Sequence, residues 1–381
     1  MTDEMIYDVA VIGAGMFGSA AGKYLAAAGL QTLIIGASEP HDWQTDDAVF
    51  GSHYDEARIP RIVDPDPLWG ELAARSIEQY PVIEQQSGIT FHHTVGCLRV
   101  GHLDKNGASA QEAALQNGIN QNAVTKVLSG DETAQQFPYF TFPKAVDAIW
   151  ETGQAGYINP RKLVQAQLII AQDNKAIPKR ETAQEVIPED DVIKIITREG
   201  QTYYARKVLI ATGAYTKFLL KHSDDLHIHP VQVILAEVEK PTDKIPCLIY
   251  SLKNHPLIED IYLLPPVLYP DGKWHLKIGA FPHHLQTANS ESDLRNWFQR
   301  EPSDEETRLT KDVLYELMPR LKVLSYRAVP CVWTYTPKTQ PYVKVLLEED
   351  AKGRIAVATG GCGRGAKSSD AIGKLGAELL I

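Results

Sequence analysis

The amino-acid sequence predicts an α/β protein of two domains, one on a buried parallel sheet and one on a mainly antiparallel or mixed sheet. Three observations carry this prediction. A strand, a glycine-rich turn and a helix follow one another from residue 7 to residue 29. Two further apolar strands, at 207–210 and 354–359, end in turns of small residues, which is typical of strands buried on both faces. Residues 223–325 shift to alternating strand patterns and acidic helices, and this shift indicates the second domain.

The first strand is the apolar run Val9–Ile12, and the turn Gly13-x-Gly15-x-x-Gly18 follows it directly. In a dinucleotide-binding turn the first glycine allows the sharp bend and the second lets a pyrophosphate approach the backbone. The third lets the helix lie close to its strand, and the helix N-terminus faces the phosphate charge. A second apolar run, 32–35, comes next. The stretch therefore predicts Rossmann-type dinucleotide binding, with a purely structural glycine turn as the alternative.

The end of the second strand departs from the usual dinucleotide-binding pattern. An acidic residue normally stands there and binds the adenosine ribose, but this chain has Gly36. Either Ser38 or Glu39 reaches the ribose instead, or the contact is absent. The loss weakens an NAD interpretation more than an FAD one, because FAD makes many other contacts along its length.

Composition narrows the functional classes. The chain has 381 residues and a formal net charge of −10, which is long enough for two cores and argues against a nucleic-acid or anionic-membrane surface. No apolar run is as long as a membrane span and no secretory signal is visible, so we expect a cytoplasmic protein. The sequence does not indicate the oligomeric state, and it is compatible with a monomer. The cysteines lie far apart without CxxC spacing, so neither a zinc site nor a disulfide framework is expected: Cys97, Cys247, Cys331 and Cys362.

Periodicity predicts the remaining elements. The pair His92-His93 has no third metal ligand nearby and is interpreted as structural or exposed. Helices are expected at 19–29, 68–85, 161–172, 290–300, 304–317 and 369–380, with a surface helix and loop at 111–130. Strands are expected at 90–93, 96–100, 185–206 with a hairpin at 199–200, 231–238, 261–264 and 274–278.

Two arginines three residues apart, Arg58 and Arg61, lie in a polar, turn-rich segment. One interpretation is a solvated basic surface with Asp55 and Glu56 as partners. The other is an anion site, because a guanidinium binds a carboxylate with forked geometry. The segment alone leaves both open.

Taken together, six motifs in order resemble the FAD-dependent amine oxidases of the monomeric sarcosine oxidase type, within the broader D-amino-acid-oxidase superfamily. The resemblance covers nearly the whole chain and implies a glutathione-reductase-like FAD domain at 1–88, 150–222 and 326–381. The substrate domain would then comprise 89–149 and 223–325. The motifs are GAGMFG at 13–18, GSHxxxxRxxR at 51–61, ATGA at 211–214, the strand lysine Lys277, CxxTxTP at 331–337 and GxxGxGxK at 360–367.

The resemblance also implies roles for single residues. Cys331 falls on the cysteine that forms a thioether to the flavin, and Lys277 on the lysine that promotes electron transfer to oxygen. A buried structural cysteine and an edge lysine are the alternatives. Arg58 matches an arginine beside the flavin ring. The implied cofactor contacts are Gly13, Gly15, Met16, Phe17, Gly18, Ser38, Ser52, His53, Arg58, Ala211, Gly213, Cys331, Gly361, Gly363, Gly365 and Lys367. The implied substrate contacts are Arg61, Lys367, Tyr262 and Arg364, and no metal is expected.

Two positions of the substrate pocket differ from the sarcosine oxidases, because Phe281 and Arg364 stand where they carry histidines. Sarcosine itself is therefore not expected as the substrate. Arg364 could favour a larger or doubly anionic amino acid, or it could point to solvent. Cations that converge in a pocket are costly to bury unless an anion neutralises them. We therefore expect a substrate carboxylate at Arg61 and Lys367.

The expected reaction is oxidation of the C–N bond of a secondary, N-methyl or cyclic α-amino acid that resembles sarcosine or pipecolate. FAD would accept the electrons and molecular oxygen would take them up, which yields an imine and hydrogen peroxide. One alternative is a dehydrogenase that passes electrons to an acceptor other than oxygen, against which Lys277 argues. The other is a non-catalytic flavin-binding protein, against which Arg61, Lys367 and Lys277 argue together. Nucleic-acid and membrane partners are not expected.

Overall fold

The structure is a computed structural model that describes residues 5–46, 49–103, 109–143, 146–220, 225–242, 244–252, 255–301, 303–346 and 352–381. The strands are β1 (Ile6–Ile12), β2 (Thr32–Ile35), β3 (His92–His93), β4 (Cys97–Gly101), β5 (Thr125–Leu128), β6 (Asp147–Glu151), β7 (Tyr157–Ile158), β8 (Ile177–Lys179), β9 (Ala183–Pro188), β10 (Ile193–Thr197), β11 (Thr202–Ile210), β12 (His227–Val238), β13 (Cys247–Ser251), β14 (Ile258–Leu268), β15 (Trp274–Pro282), β16 (Ser325–Tyr335), β17 (Tyr342–Val345) and β18 (Ile355–Thr359). The helices are α1 (Met16–Ala27), α2 (Pro67–Ser87), α3 (Ala110–Asn120), α4 (Gly130–Gln136), α5 (Pro160–Asp173), α6 (Thr216–Leu219), α7 (Glu291–Gln299), α8 (Asp304–Leu317) and α9 (Ser369–Glu378).

The first sheet has a parallel centre in the order β18-β11-β1-β2-β8. Strand β17 pairs antiparallel with β18, and the hairpin β9–β10 extends antiparallel from β11. One face packs against helices, with Leu25 of α1, Trp69 of α2 and Ile372 of α9 in its core. The other face is covered by the hairpin through Ile193 and Ile195. Burial on both faces explains the continuous apolar runs that the sequence shows, and the predicted Rossmann-type domain is confirmed.

The turn after β1 needs glycine at two positions. The φ of Gly13 is +104°, a conformation that costs glycine little. A Cβ there would lie 2.4 Å from the carbonyl oxygen of Ala211 on the adjacent strand end. A Cβ on Gly18 would lie 1.7 Å from the carbonyl oxygen of Gly13. Helix α1 can therefore lie close to β1 with its N-terminus at the carboxyl end of the strand.

The second sheet has the order β16-β12-β15-β14-β13-β4-β6-β5. Its neighbours are antiparallel except β13 and β4, which are parallel, so the predicted mixed sheet is confirmed. One face packs against α8 around Leu98, Ile234, Ile278 and Leu314. The opposite face is directed at the first sheet and forms one wall of the site.

The predicted domain division stays a prediction. Strands β6 and β16 both hydrogen-bond within the second sheet, whereas the predicted boundaries at 149/150 and 325/326 cut through β6 and assign most of β16 to the FAD domain. The predicted boundary at 222/223 lies outside the described residues.

The long helices were predicted closely, but several strands were not. Helix α1 begins at Met16 rather than residue 19. The predicted helix and loop at 111–130 contains α3 and then strand β5, and only His92–His93 of 90–93 forms a strand. None of the helices in the described part of the chain is long and apolar enough to cross a membrane.

Candidate active site

A cavity of about 570 Å³ lies between the two sheets. On one side it meets the turns that follow β1, β2, β11 and β18, all at the carboxyl edge of the parallel sheet. Ligands of open α/β sheets bind at this edge. On the other side it meets residues of β4, β13, β14, β15 and β16 in the second sheet.

Most of the residues that the sequence assigned to the cofactor line this cavity. Gly18 and Ser38 do not lie in the wall: Gly18 packs against the turn after β1, and Ser38 is two residues beyond the wall residue Gly36. The predicted cofactor residues in the wall are Gly13, Gly15, Met16, Phe17, Ser52, His53, Arg58, Ala211, Gly213, Cys331, Gly361, Gly363, Gly365 and Lys367.

The turn after β1 fits a bound pyrophosphate. A Cβ on Gly15 would have the His53 ring nitrogen Nδ1 as its nearest neighbour, at 3.7 Å, so the backbone faces open space. Burial, followed by the charges of Arg161 and Arg58, lowers the pKa of His53 to about 4, so this imidazole is neutral at neutral pH. The N-terminus of α1 is directed at the same space and favours a negative charge there.

The structure explains why the ribose-binding acid is missing from β2. A Cβ on Gly36 would lie 2.3 Å from the Cβ of Ala14, so no side chain fits. Glu39, one of the predicted substitutes, instead pairs with Arg161. Glu181 lines the cavity in the segment after the adjacent strand β8. Its Oε2 is buried and has no hydrogen-bond partner in the described part of the chain, and the sequence analysis missed it.

Arg58 holds the loop from residue 51 to residue 58 against the second sheet. Its Nη2 donates to the carbonyl oxygen of Ser52 at 3.0 Å and its Nη1 to that of Ala57 at 3.1 Å. The guanidinium also pairs with Asp55, and Nη2 lies 3.9 Å from Cys331 Sγ. The predicted flavin cysteine and the predicted flavin arginine are therefore adjacent in the cavity wall.

Lys277 is fully buried and does not line the cavity. Its Nζ donates to Asp55 Oδ2 at 2.7 Å and to the carbonyl oxygen of Ala57. The Tyr269 hydroxyl donates to the other oxygen of Asp55 at 2.9 Å. Burial and then the charge of Arg58 lower the pKa of Lys277. Asp55 is thus a half-buried counter-ion of Lys277 and Arg58.

Arg61, Lys367 and Arg364 do converge, but on a carboxylate of the chain itself. Asp64 Oδ2 lies 2.9 Å from Lys367 Nζ, 3.3 Å from Arg61 Nη2 and 3.7 Å from Arg364 Nε. Asp64 is fully buried. A ligand is therefore not the only source of negative charge for these cations, because Asp64 supplies one negative charge. Asp64 follows Arg61 by three residues in a segment that is not helical, so the spacing alone did not indicate the pairing.

The pKa values of the titratable groups in this cluster are set by burial and by the neighbouring charges. Burial raises the pKa of the Asp64 carboxyl, but Lys367, Arg61 and Arg364 outweigh that effect and hold it well below its usual range. Burial lowers the pKa of Lys367 to about 8, and Asp64 limits the shift. Behind the cluster, Glu151 accepts backbone hydrogen bonds from residues 62 and 63 at 2.7 and 3.0 Å, and burial raises its pKa.

Aromatic residues of the second sheet form another part of the cavity wall. Phe281 stacks on Trp333 with ring centroids 4.6 Å apart, and Tyr262 meets the Phe281 ring edge-on at 5.7 Å. Gly279 makes room for this arrangement, because a Cβ there would lie 2.3 Å from the Tyr262 ring. The predicted substrate residue Tyr262 and the unexpected Phe281 thus both line the cavity. Such a surface suits the apolar part of a small ligand.

The family model described as FAD dependent oxidoreductase (DAO) matches residues 8–379. The chain belongs to this family. It is 27% identical over 390 residues to monomeric sarcosine oxidase of Bacillus sp. (strain B-0618), across 98% of this chain and 92% of that protein. It is 25% identical over 390 residues to N-methyl-L-tryptophan oxidase of Yersinia pestis (strain Pestoides F), across 98% and 94%.

The solved structure of NikD, an unusual amino acid oxidase essential for nikkomycin biosynthesis, has the same fold. It superposes in its open form with a TM-score of 0.80 at 18% identity, across 98% of this chain and 94% of that one. As a member of the FAD dependent oxidoreductase family, the chain is an enzyme that uses FAD. The glycine turn, the helix N-terminus and the residues after β11 and β18 are the groups that would hold the cofactor. The described residues contain no cluster of three or more His, Cys, Asp or Glu side chains placed for a metal ion.

Proposed function

We propose that the protein is an FAD-dependent oxidase of the C–N bond of a secondary, N-methyl or cyclic α-amino acid, with an imine and hydrogen peroxide as products. The observation that carries the proposal is the cluster of Arg61, Lys367 and Arg364 around the single carboxylate of Asp64. Three cations against one carboxylate leave a positive charge at the cavity wall. A buried positive charge of this kind is stabilised by a carboxylate ligand.

The cation cluster and the aromatic wall bind different parts of the substrate. Arg61 and Lys367 fix the position of the α-carboxylate, while Tyr262, Phe281 and Trp333 enclose the remainder and exclude water. When bound, FAD supplies the two-electron redox chemistry, and the chain supplies position and charge. The nearby cations also disfavour a charged ammonium group, so the substrate amine reacts in its neutral form.

The named relatives support the substrate class. Monomeric sarcosine oxidase and N-methyl-L-tryptophan oxidase both have N-methyl amino acids in their names. Phe281 and Arg364 line the cavity of this chain at the two positions where the sequence analysis identified departures from the sarcosine oxidases. We therefore propose a substrate larger than sarcosine.

A panel of amino acids tests the proposal. The purified yellow protein is supplied with N-methyl, cyclic and primary α-amino acids and with matching amines that lack the carboxylate, and peroxide is measured. We expect peroxide from a secondary or cyclic α-amino acid and none from the matching amine. Oxidation of simple amines with Arg61→Ala fully active would refute the proposal.

A second candidate is a dehydrogenase that passes electrons to an acceptor other than oxygen. The observation that favours it is the Lys277–Asp55 ion pair, which neutralises the lysine and lies behind the cavity wall. Substrate-dependent oxygen consumption is compared with reduction of a quinone dye under anaerobic conditions. Dye reduction without oxygen consumption would identify the dehydrogenase, and oxygen consumption at a comparable rate would identify the oxidase.

A further inference from the structure

Arg99 is a cavity residue to which neither the motifs nor the proposed reaction assigns a role. It lies in the middle of β4, is 8% exposed and lines the cavity. Its register partner on β13 is Ile249, which in turn pairs with Tyr262 on β14. Residues in register across a sheet share a face. Since Ile249 and Tyr262 also line the cavity, Arg99 is a charged side chain in an apolar row that faces the ligand space.

The guanidinium of Arg99 has no carboxylate of the described residues at ion-pair distance. Its Nε is buried without a hydrogen-bond partner in the same part of the chain. The backbone of Arg99, unlike its side chain, is held by a side-chain hydrogen bond: Gln111 Nε2 donates to its carbonyl oxygen at 2.8 Å. Burial and then the charge of Arg61 lower the pKa of Arg99, while the charges of Asp260 and Asp64 oppose that shift from beyond ion-pair distance. A buried cation beside other cations is costly unless an anion compensates it.

The cavity wall near Arg99 carries charges of both signs, because half-buried Asp260 and exposed Glu259 of β14 also line it. Arg61, Lys367 and Arg364 share the carboxylate of Asp64, and Arg99 adds a fourth cation. Glu151 lies behind the cluster with both oxygens occupied by backbone amides, and its pKa is raised by burial. A substrate carboxylate at Arg61 and Lys367 therefore still leaves the Arg99 guanidinium with no carboxylate of the described residues at ion-pair distance.

We propose that Arg99 is a specificity-determining residue that binds a second carboxylate of the substrate. The inference rests on the proposed function and narrows it: the amino acid oxidised is dicarboxylic. Its α-carboxylate lies at Arg61 and Lys367, and its side-chain or N-linked carboxylate meets Arg99 on the floor formed by Ile249 and Tyr262. An unpaired guanidinium suits this task, because it offers two parallel donors to one carboxylate.

Binding of two acids to the FAD-loaded protein tests the inference without any turnover. Glutarate and pentanoate have the same chain length, and only glutarate has a second carboxylate. Titration calorimetry should show glutarate binding at least about tenfold more tightly than pentanoate, as expected when a buried charge gains its partner. Arg99→Met should abolish that difference and leave pentanoate affinity within about twofold, because its carboxylate binds elsewhere.

Two further variants keep the test decisive. Arg99→Lys retains the charge and should keep part of the preference for glutarate. Arg75→Met removes an exposed arginine of α2 that pairs with Glu71 at 3.7 Å and should change neither affinity. Equal affinities of the parent protein for the two acids would overturn the inference even if Arg99→Met failed to fold. So would an unchanged glutarate preference in a folded Arg99→Met variant.

The outcome is separable from that of the proposed function. If N-methyl or cyclic monocarboxylic amino acids yield peroxide while glutarate has no advantage over pentanoate, the inference fails and the oxidase stands. If no α-amino acid is oxidised while Arg99 still selects glutarate, the proposed reaction fails and the cavity is a dicarboxylate site with another chemistry.

Discussion

At the scale of single residues, the motifs identified the cations but not Asp64, the carboxylate that pairs with Arg61 and Lys367. Arg61 and Lys367 occur in recognisable patterns, whereas Asp64 precedes a proline and resembles an ordinary turn residue. The sequence separation between Asp64 and Lys367 is 303 residues. No local pattern reports a pairing of that kind, because it depends on how the loop before α2 meets the turn after β18.

Asp64→Asn should destabilise the FAD-loaded protein by about 3–5 kcal/mol, because it leaves Arg61, Lys367 and Arg364 buried without their carboxylate. Denaturant unfolding measures the loss. The native pKa of Asp64 lies below its unfolded value, so its contribution is present above about pH 4 and is lost as the pH falls. The variant should therefore lose less stability than the parent on acidification.

Asp66→Asn is the matched control for that measurement. Asp66 caps α2 by accepting from the backbone of Leu68 at 2.9 Å, and asparagine caps a helix about as well as aspartate. Its stability should change by less than about 0.5 kcal/mol. An Asp64→Asn variant as stable as this control would contradict the role of Asp64.

Cys331→Ser tests the proposed covalent link to FAD. Cys331 is a half-buried free thiol in the cavity wall, which leaves its sulfur accessible to a bound ring. After acid denaturation and centrifugation, the yellow colour should pellet with the parent protein and stay in the supernatant with the variant. Colour in the supernatant for both proteins would show that no link forms. Cys362→Ser, a change at a second free cysteine of the wall, should leave the colour in the pellet.

Lys277→Met tests whether the buried lysine acts on oxygen. A preorganised charge at the site of developing negative charge contributes about 4 kcal/mol, or roughly a thousandfold in rate. We expect oxygen consumption to fall by about that factor while anaerobic dye reduction changes much less. Equal losses with both acceptors would give Lys277 a structural role as the partner of Asp55.

At the scale of elements, the sequence predicted the long amphipathic helices but not the short buried strands. Helix α8 was predicted with its observed bounds, 304–317, because its apolar face repeats regularly and Ser303 caps it. Strand β13 was missed since four of its five residues are buried and it therefore lacks alternation. Arg99 was overlooked for a related reason: β4 is buried throughout, so an arginine within it was a signal for a ligand.

Glu181→Gln tests whether the segment after β8 replaces the acid missing from β2. With Gly36 closed to side chains, Glu181 is an acid of the cavity wall with one buried oxygen that has no hydrogen-bond partner in the described part of the chain. In a Cys331→Ser background, FAD affinity should fall about tenfold, which corresponds to one charged hydrogen bond. Glu39→Gln is the control, because Glu39 is occupied by Arg161. A larger effect at Glu39 would reverse the assignment.

At the scale of the whole molecule, the site exists only where the two sheets meet. Arg61 precedes α2, Lys367 follows β18, and Arg99 belongs to the second sheet. The sequence predicted both domains and the order of the motifs, because each is a local pattern. Which side chains meet across the gap depends on the relative position of the sheets. For that reason the sequence did not indicate Asp64 as the partner of Lys367, or Asp55 as the partner of Lys277.

A ligand that joins residues from both sheets should stabilise the whole fold, and Lys367 should make that effect depend on pH. Saturating pentanoate should raise Tm by a few degrees near neutral pH, since a ligand at about 100 times its Kd adds about 2.7 kcal/mol. The protonated form of Lys367 binds the anion, and its pKa is lowered to about 8. The shift in Tm should therefore be full below about pH 8 and decline above it. Lys367→Arg keeps its charge to higher pH, so its shift should persist where that of the parent declines. A decline of the same size in both proteins, or a shift independent of pH in the parent, would mean that Lys367 does not hold the carboxylate.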